Sequence, residues 1–440
     1  MIPVFLGCET SDDIGIPYQL ESDASVRFEE FILPTSTVVI DSLRTDSENR
    51  ILVGQFMDEL TGFIRTESYF SMKYESSDLP NGEIEENFVY DSVRISLLSP
   101  SNIGNGSSTQ SFNISLLTDT LSNLIYLSSN EQTSIGEQIG TFESQVSADT
   151  NYFNFLLDDT FGRILYGNVS AFDPLAGSTN WPSLVIAPNS RSEVINEIQL
   201  DADTSRITLF VTEPDGRQVI VDEDTTFVDT LYSVQFILSP TQFLSNPHYV
   251  RVDRSGVNTN LPNTNLIDVL AGITTSIDTQ PLQDFFDQLN DDSRSIIINN
   301  AALSFDFEQD ANRDTLENFY SFFYKNDSYF APGLVQNPFG NLIMSDNAFI
   351  QGSNVPALSV LVRDTTSQVL KEISVNATLF FQSMYNDYLN SSETSALLDR
   401  TGTEVSLTDF ILLSSSDVTL QRTVFKDDGI RLRLYYTEVD

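Results

Sequence analysis

The chain has 440 residues, 40% of them hydrophobic and including 31 Phe and 16 Tyr, which is material for a sizeable core. Its 63 Asp and Glu against 22 Lys and Arg leave a formal net charge of −41, which argues against a nucleic-acid partner, since such binding gains free energy by neutralising phosphates with basic side chains. One cysteine and one histidine rule out an intrachain disulfide and a zinc site of the Cys/His type.

The sequence opens on Met1-Ile2-Pro3-Val4-Phe5-Leu6-Gly7, a short apolar run that ends in a small residue before Cys8. A complete signal peptide has a charged start and an apolar region of roughly 7–15 residues. Residues 1–20 therefore read as the remnant of such a leader followed by an acidic, pattern-free tether. No later stretch approaches the roughly 18 apolar residues of a membrane helix, so membrane attachment would be through lipid.

From residue 21 onward the dominant pattern has period two. Val93, Ile95 and Leu97 alternate with Ser92, Arg94 and Ser96, Phe112, Ile114 and Leu116 alternate with Ser111, Asn113 and Ser115, and Ile207, Leu209 and Val211 continue the habit. Successive side chains of a strand point to opposite faces, so this pattern predicts strands with one buried and one wet face, hence antiparallel sheets. Glu213-Pro214-Asp215-Gly216 predicts a hairpin turn between residues 207–211 and 219–221, because Pro presets φ and Gly accepts positive φ.

The polar stretch 256–265 marks a boundary, dividing the chain into an N-terminal β-sandwich domain at 21–256 and a C-terminal β-rich domain at 257–440. Beyond it, Leu282, Phe285, Phe286 and Leu289 recur at helical spacing after Pro281, and Phe380, Phe381, Met384, Tyr385 and Tyr388 form a second stripe. Both predict short helices capping sheet edges or barrel-like ends, with the stripes read as core in preference to a ligand groove. Leu303, Phe305 and Phe307, then Ile430, Leu432, Leu434 and Tyr436, return to period two. The expected fold is all-β and mainly antiparallel, with two β-sandwich or jelly-roll-like domains and a few short helices.

Candidate chemistry is sparse. His248 is the one imidazole available to a catalytic triad, no Gly-x-Ser-x-Gly elbow accompanies it, and it reads as a surface or turn residue. Asp310, Asn312 and Asp314 have the alternating oxygen-ligand spacing of a calcium loop, without the Gly and Glu that an EF-hand adds, and a solvated acidic loop is the other reading. Calcium is thus the one cofactor the sequence raises. Trp181 offers a flat indole for sugar stacking, against a packed loop residue, and Phe319-Tyr320-Ser321-Phe322-Phe323-Tyr324 reads as core or as a partner surface.

Several segments together resemble a family of exported Bacteroidota proteins known as domain of unknown function 4270. They are Thr35-Ser36-Thr37-Val38-Val39-Ile40-Asp41-Ser42, Ile51-Leu52-Val53-Gly54-Gln55-Phe56-Met57-Asp58 with Gly62, Tyr69-Phe70, Tyr249-Val250-Arg251-Val252-Asp253-Arg254-Ser255-Gly256, Ile296-Ile297-Ile298-Asn299-Asn300-Ala301 and the ending 430–437. The resemblance implies an outer-membrane lipoprotein on the cell surface. Cys8 would then be the acylated residue behind the lipobox-like Phe5-Leu6-Gly7, and Glu9, Asp12 and Asp13 an acidic surface-export signal; an ordinary acidic tail beside an incidental cysteine is the other reading. Ser42, Ser92, Thr120, Thr230 and Thr315 sit in Asp-Ser/Thr-aliphatic triplets that resemble Bacteroidota O-glycosylation acceptors. The family brings no catalytic residues. The expected function is therefore non-enzymatic: a structural or accessory subunit of an outer-membrane assembly, held by an N-terminal lipid and docking on a β-barrel or other surface protein, with a carbohydrate-binding module as the alternative.

Overall fold

The structure is a computed structural model that describes residues 25–40, 45, 49–104, 109–119, 121, 134–145, 151–171, 181–200, 204–221, 224–238, 248–258, 265–310, 313–315, 320–324, 359–363, 370–389, 409–414 and 419–439. In chain order the elements of the first half are β1 (Val26–Ile32), β2 (Thr35–Val39), β3 (Arg50–Asp58), β4 (Gly62–Ser71), β5 (Lys73–Ser77), β6 (Val89–Gly104), β7 (Thr109–Leu117), β8 (Ile135–Gln145), β9 (Asn151–Leu156), α1 (Asp159–Ser170), β10 (Ser183–Pro188), β11 (Val194–Gln199), β12 (Arg206–Val221), β13 (Asp224–Ile237) and β14 (His248–Val257). The second half adds β15 (Asn265–Ile267), β16 (Ile273–Asp278), α2 (Gln280–Asp291), β17 (Ser295–Glu308), β18 (Tyr320–Tyr324), β19 (Ser359–Arg363), β20 (Leu370–Asn376), α3 (Thr378–Leu389), β21 (Asp409–Ser414) and β22 (Thr423–Val439). The fold is all-β, antiparallel and sandwich-like, as the period-two pattern requires.

Twelve strands form one sheet in the order β5-β13-β12-β6-β11-β3-β4-β10-β7-β8, with β14 beside β4 and β9 beside β6. Strand β4 gives residues 62–66 to β3 and 68–71 to β10 along one edge, while β14 runs along the other. β6 divides its edge in the same way between β12 and β11, opposite β9. Ile51, Leu52 and Val53 are all buried, so β3 is covered on both faces. Their core cluster also takes in Leu266, Leu270, Ile273 and Leu420 of the later half. Gly54 permits the approach of β11: its φ is +147°, and a Cβ there would lie 1.9 Å from the Val194 carbonyl oxygen.

The later half builds a sheet in the order β1-β22-β17-β20-β19, with β15 also on β22, and a smaller sheet ordered β18-β21-β16-β2. The twelve-stranded sheet ends in sequence with β14 at Val257, whereas β1 and β2 pair with the later strands. Helices α2 and α3 form where the stripes predict them and pack as core, α2 against the edge strand β1 and α3 against β17. Phe286 packs 4.9 Å from Tyr385, Phe285 meets Phe31 and Tyr436, and the Tyr385 hydroxyl accepts from Ile296 N–H at 3.1 Å.

Two local expectations are corrected. Glu213-Pro214-Asp215-Gly216 is not a hairpin turn; β12 continues through it, pairing Glu213 with Thr230 and then Arg217 with Val228, so the segment is a bulge. Turn chemistry serves a bulge equally well, and Asp215 takes the positive φ of 55° there. Helix α1 is not among the predicted elements. Its Asp158 caps the first turn through Thr160 N–H, and Phe161, Leu165 and Val169 are buried along one stripe.

Candidate functional site

Two turns and the segment before β22 converge on a buried cluster of charges between the two halves. At the β3–β4 turn, Asp58 Oδ1 accepts from the Leu60 and Thr61 N–H groups at 2.9 Å each, a local bond that fixes the aspartate rotamer. Between β15 and β16, Asp268 Oδ1 likewise accepts from Ala271 N–H at 3.1 Å. The third element is the segment before β22, where Arg422 N–H donates to the Asp314 carbonyl at 3.0 Å.

Arg422, only 1% exposed, joins these turns. Its Nε and Nη2 donate to Asp310 Oδ2 at 2.7 and 2.6 Å, and its Nη1 donates to Asp58 Oδ1 at 2.6 Å across 364 residues of sequence. Arg313 donates through Nη1 to Asp268 Oδ2 at 2.5 Å and through Nε to the Leu420 carbonyl at 2.7 Å. Asp58 Oδ2 has no hydrogen bond among the described residues and lies 3.9 Å from Arg313 Nη1. Burial pushes the Asp58 carboxyl up, but the Thr61 N–H, the Arg422 bond and the charges of Arg422 and Arg313 outweigh it and hold the group below its ordinary value. Guanidinium groups do not give up protons near neutral pH, so Arg313 and Arg422 stay charged and clasp carboxylates contributed by both halves.

A cleft of about 420 Å³ opens beside the clasp, lined by Arg50, Asn102, Glu197, Asp310 and Asp314 among others. Of the proposed calcium ligands, Asp310 is committed to Arg422, Asp314 is exposed, and Asn312 lies outside the described residues. Among the described residues no group of three His, Cys, Asp or Glu side chains is placed to hold a metal ion. None of Asp58, Asp268, Arg313 and Arg422 is singled out by the sequence alone.

A second feature is the open face of the β1-β22-β17 sheet. Val26 and Phe28 are 66% and 49% exposed, and Ile32, Ile297, Tyr435 and Val439 are also exposed. Register places these side chains on one face, because Val26 and Ile297 both oppose Thr437, and Phe28 opposes Tyr435, with ring centroids 4.9 Å apart. Further along the same face the chemistry turns ionic: Arg433 contacts Glu30 and Glu372 at 3.0 and 3.1 Å, and Arg431 lies 3.6 Å from Asp306.

The remaining sequence candidates are scattered. Trp181 is 7% exposed and makes a T-shaped contact with Phe236 at 4.9 Å, so it is packed in the core and not offered to a sugar. His248 is 3% exposed at the start of β14, opposite Phe70, and is a core strand residue instead of a surface or turn histidine. Ser92 is half-buried and donates to Asp91 at 2.7 Å, the Thr230 hydroxyl oxygen is buried, and Thr315 is half-buried. Residues 320–324 form β18, but their side chains lie outside the description, as do Cys8, Glu9, Asp12, Asp13, Ser42, Thr120 and Phe319 altogether.

No known family model matches the chain, and no curated protein matches it. Among solved structures, the crystal structure of a candidate secreted protein from Parabacteroides distasonis aligns over 91% of this chain and 99% of its own, at 7% identity and a TM-score of 0.20. Likeness at that level establishes neither fold nor location.

Proposed function

We propose that the protein is a non-enzymatic lipoprotein of the outer-membrane surface, of the exported family it resembles, acting as a structural or accessory subunit of a membrane-protein assembly. The observation that carries this reading is the open apolar face of Val26, Phe28, Ile297, Tyr435 and Val439. Contiguous exposed apolar side chains are retained where something docks on them. The face begins at Val26, 18 residues after Cys8, and a chain of that length reaches at most about 60 Å. A lipid on Cys8 would hold the face close to whatever the membrane carries. With a net charge of −41 the protein is repelled by anionic lipid headgroups, which favours a protein partner over the bilayer itself.

The glycan-binding alternative lacks comparable support, since Trp181 is buried. The test is purification from native membranes of the wild type, Cys8→Ser, and Phe28→Ser with Tyr435→Ser. The expected result is that the wild type co-purifies with a β-barrel membrane protein, the double variant loses that partner while staying membrane-bound, and Cys8→Ser leaves the membrane fraction. Wild-type recovery of the partner by the double variant would sink the docking face. Membrane retention of Cys8→Ser in a strain lacking the partner would sink the lipid anchor.

A further inference from the structure

Strand β1 ends its sheet. Its inner edge pairs with β22 from Val26↔Thr437 to Ile32↔Arg431, and among the described residues no strand pairs with its outer edge. The bond from Leu33 N–H to the Ile430 carbonyl sets the phase of the ladder. In antiparallel pairing, alternate residues turn both N–H and C=O to the same side. Odd-numbered residues of β1 therefore bond β22, and Val26, Phe28, Glu30 and Ile32 turn their backbone groups outward. Natural edges are commonly blunted by charge, and β1 carries Arg27, Glu29 and Glu30. The order of those charges decides what the edge can accept.

We infer that β1 pairs antiparallel with β1 of a second copy of this chain, with Phe28 on the twofold axis. In this register Phe28 faces Phe28 of the second copy, Val26 faces Glu30, and Arg27 faces Glu29 on both sides of the axis. The outward-turned residues supply the hydrogen-bonded pairs, about six backbone bonds in all, and the Arg27–Glu29 pairs occupy the closer non-hydrogen-bonded positions. The two neighbouring symmetric registers are centred on Arg27 or on Glu29 and set like charges face to face, which destabilises a cross-strand pair. Charge complementarity thus selects the Phe28-centred register, and it joins the two open apolar faces into one.

A single seven-residue strand edge buries less than the roughly 1,200 Å² of a stable complex, and two acidic copies repel. The pair is accordingly weak in dilute solution and is strengthened when both copies are confined to one surface. The inference stands on the strand edge, whereas the proposed function stands on the sheet face and the tether, so either can fail alone.

Cys8 is the only cysteine, so full-length Cys8→Ser is a cysteine-free background for disulfide trapping. Phe28→Cys in that background is expected to form a disulfide-linked dimer on mild oxidation at high protein concentration, because hydrogen-bonded antiparallel partners have Cα atoms ~5.5 Å apart, within disulfide range. Ile32→Cys is expected to stay monomeric, since four residues on either side of the axis separate the two sites by ~27 Å. Adding Glu29→Arg to Phe28→Cys opposes like charges across the axis and is expected to lower the trapped fraction severalfold. All three sites are exposed, so circular dichroism should show an unchanged fold. Equal trapping at positions 28 and 32, no dimer at position 28, or a trapped fraction indifferent to Glu29→Arg would each overturn the inference.

Discussion

Replacing Arg422 by Met keeps most of the side-chain volume and removes the charge that bridges Asp58 and Asp310. The wild-type guanidinium is 1% exposed and contacts both carboxylates at 2.6–2.7 Å. Removing one member of a buried ion pair costs about 3–5 kcal/mol, chiefly because the other member is left charged and unpaired. A proton can cap that cost: holding an aspartic acid protonated at pH 7, some three units above its usual value, costs about 4 kcal/mol at 1.36 kcal/mol per unit. The two routes agree. With a urea slope of roughly 3 kcal/mol/M, the unfolding midpoint of Arg422→Met falls by about 1–1.7 M at pH 7. Proton uptake becomes easier in acid, so the deficit relative to wild type should shrink by about 1–2.7 kcal/mol between pH 7 and pH 5. The assay is urea unfolding of both proteins at the two pH values. A midpoint unchanged at pH 7, or a deficit that does not vary with pH, would refute the clasp.

The Asp58 carboxyl is held below its ordinary value, so its contribution is present above the unfolded value near 3.8 and is lost as pH falls through the folded one. Asp58→Asn should therefore be less stable than wild type at neutral pH and show a flatter acid limb below about pH 4.5 in thermal melts. Gly54→Ala places a methyl group 1.9 Å from the Val194 carbonyl and must part β3 from β11. It should cost about 2 kcal/mol or more, with faster amide exchange confined at first to those strands. Phe286→Ala opens the core under α2 and should cost about 3–5 kcal/mol, while truncating the exposed Phe227 should change stability by under about 0.5 kcal/mol in the same denaturation assay.

Strand identity was legible wherever one face is wet. Val93, Ile95 and Leu97, and Leu432 and Leu434, are buried as the alternation requires. It was less legible where both faces are covered, as at Ile51-Leu52-Val53, because burial then removes the alternation itself. The stripes of α2 and α3 stood out against a β background, whereas α1 hid between strands although Asp158 and the Phe161, Leu165, Val169 stripe were there to read. The clasp could not be read at all. Its members are separated by up to 364 residues, and with 63 acidic residues no single aspartate is informative. The one hint was on the other side of the balance: Arg422 is a scarce cation two residues before the apolar pair Val424-Phe425. The calcium spacing at Asp310 and Asp314 was real, but the cation that Asp310 meets is an arginine.

Strand β22 pairs with β1, β15 and β17, and Arg422 just before it closes the clasp on Asp58. The earliest and latest strands described are thus direct neighbours, which has a meaning in time. A chain synthesised from its N-terminus exposes β1, β15 and β17 with an unpaired edge until Thr423–Val439 has emerged. Contacts between such distant segments form slowly because the intervening loop must close first. Until that strand is made, β1, β15 and β17 each lack the neighbour that β22 supplies, and unpaired strand edges of this kind invite association with other chains.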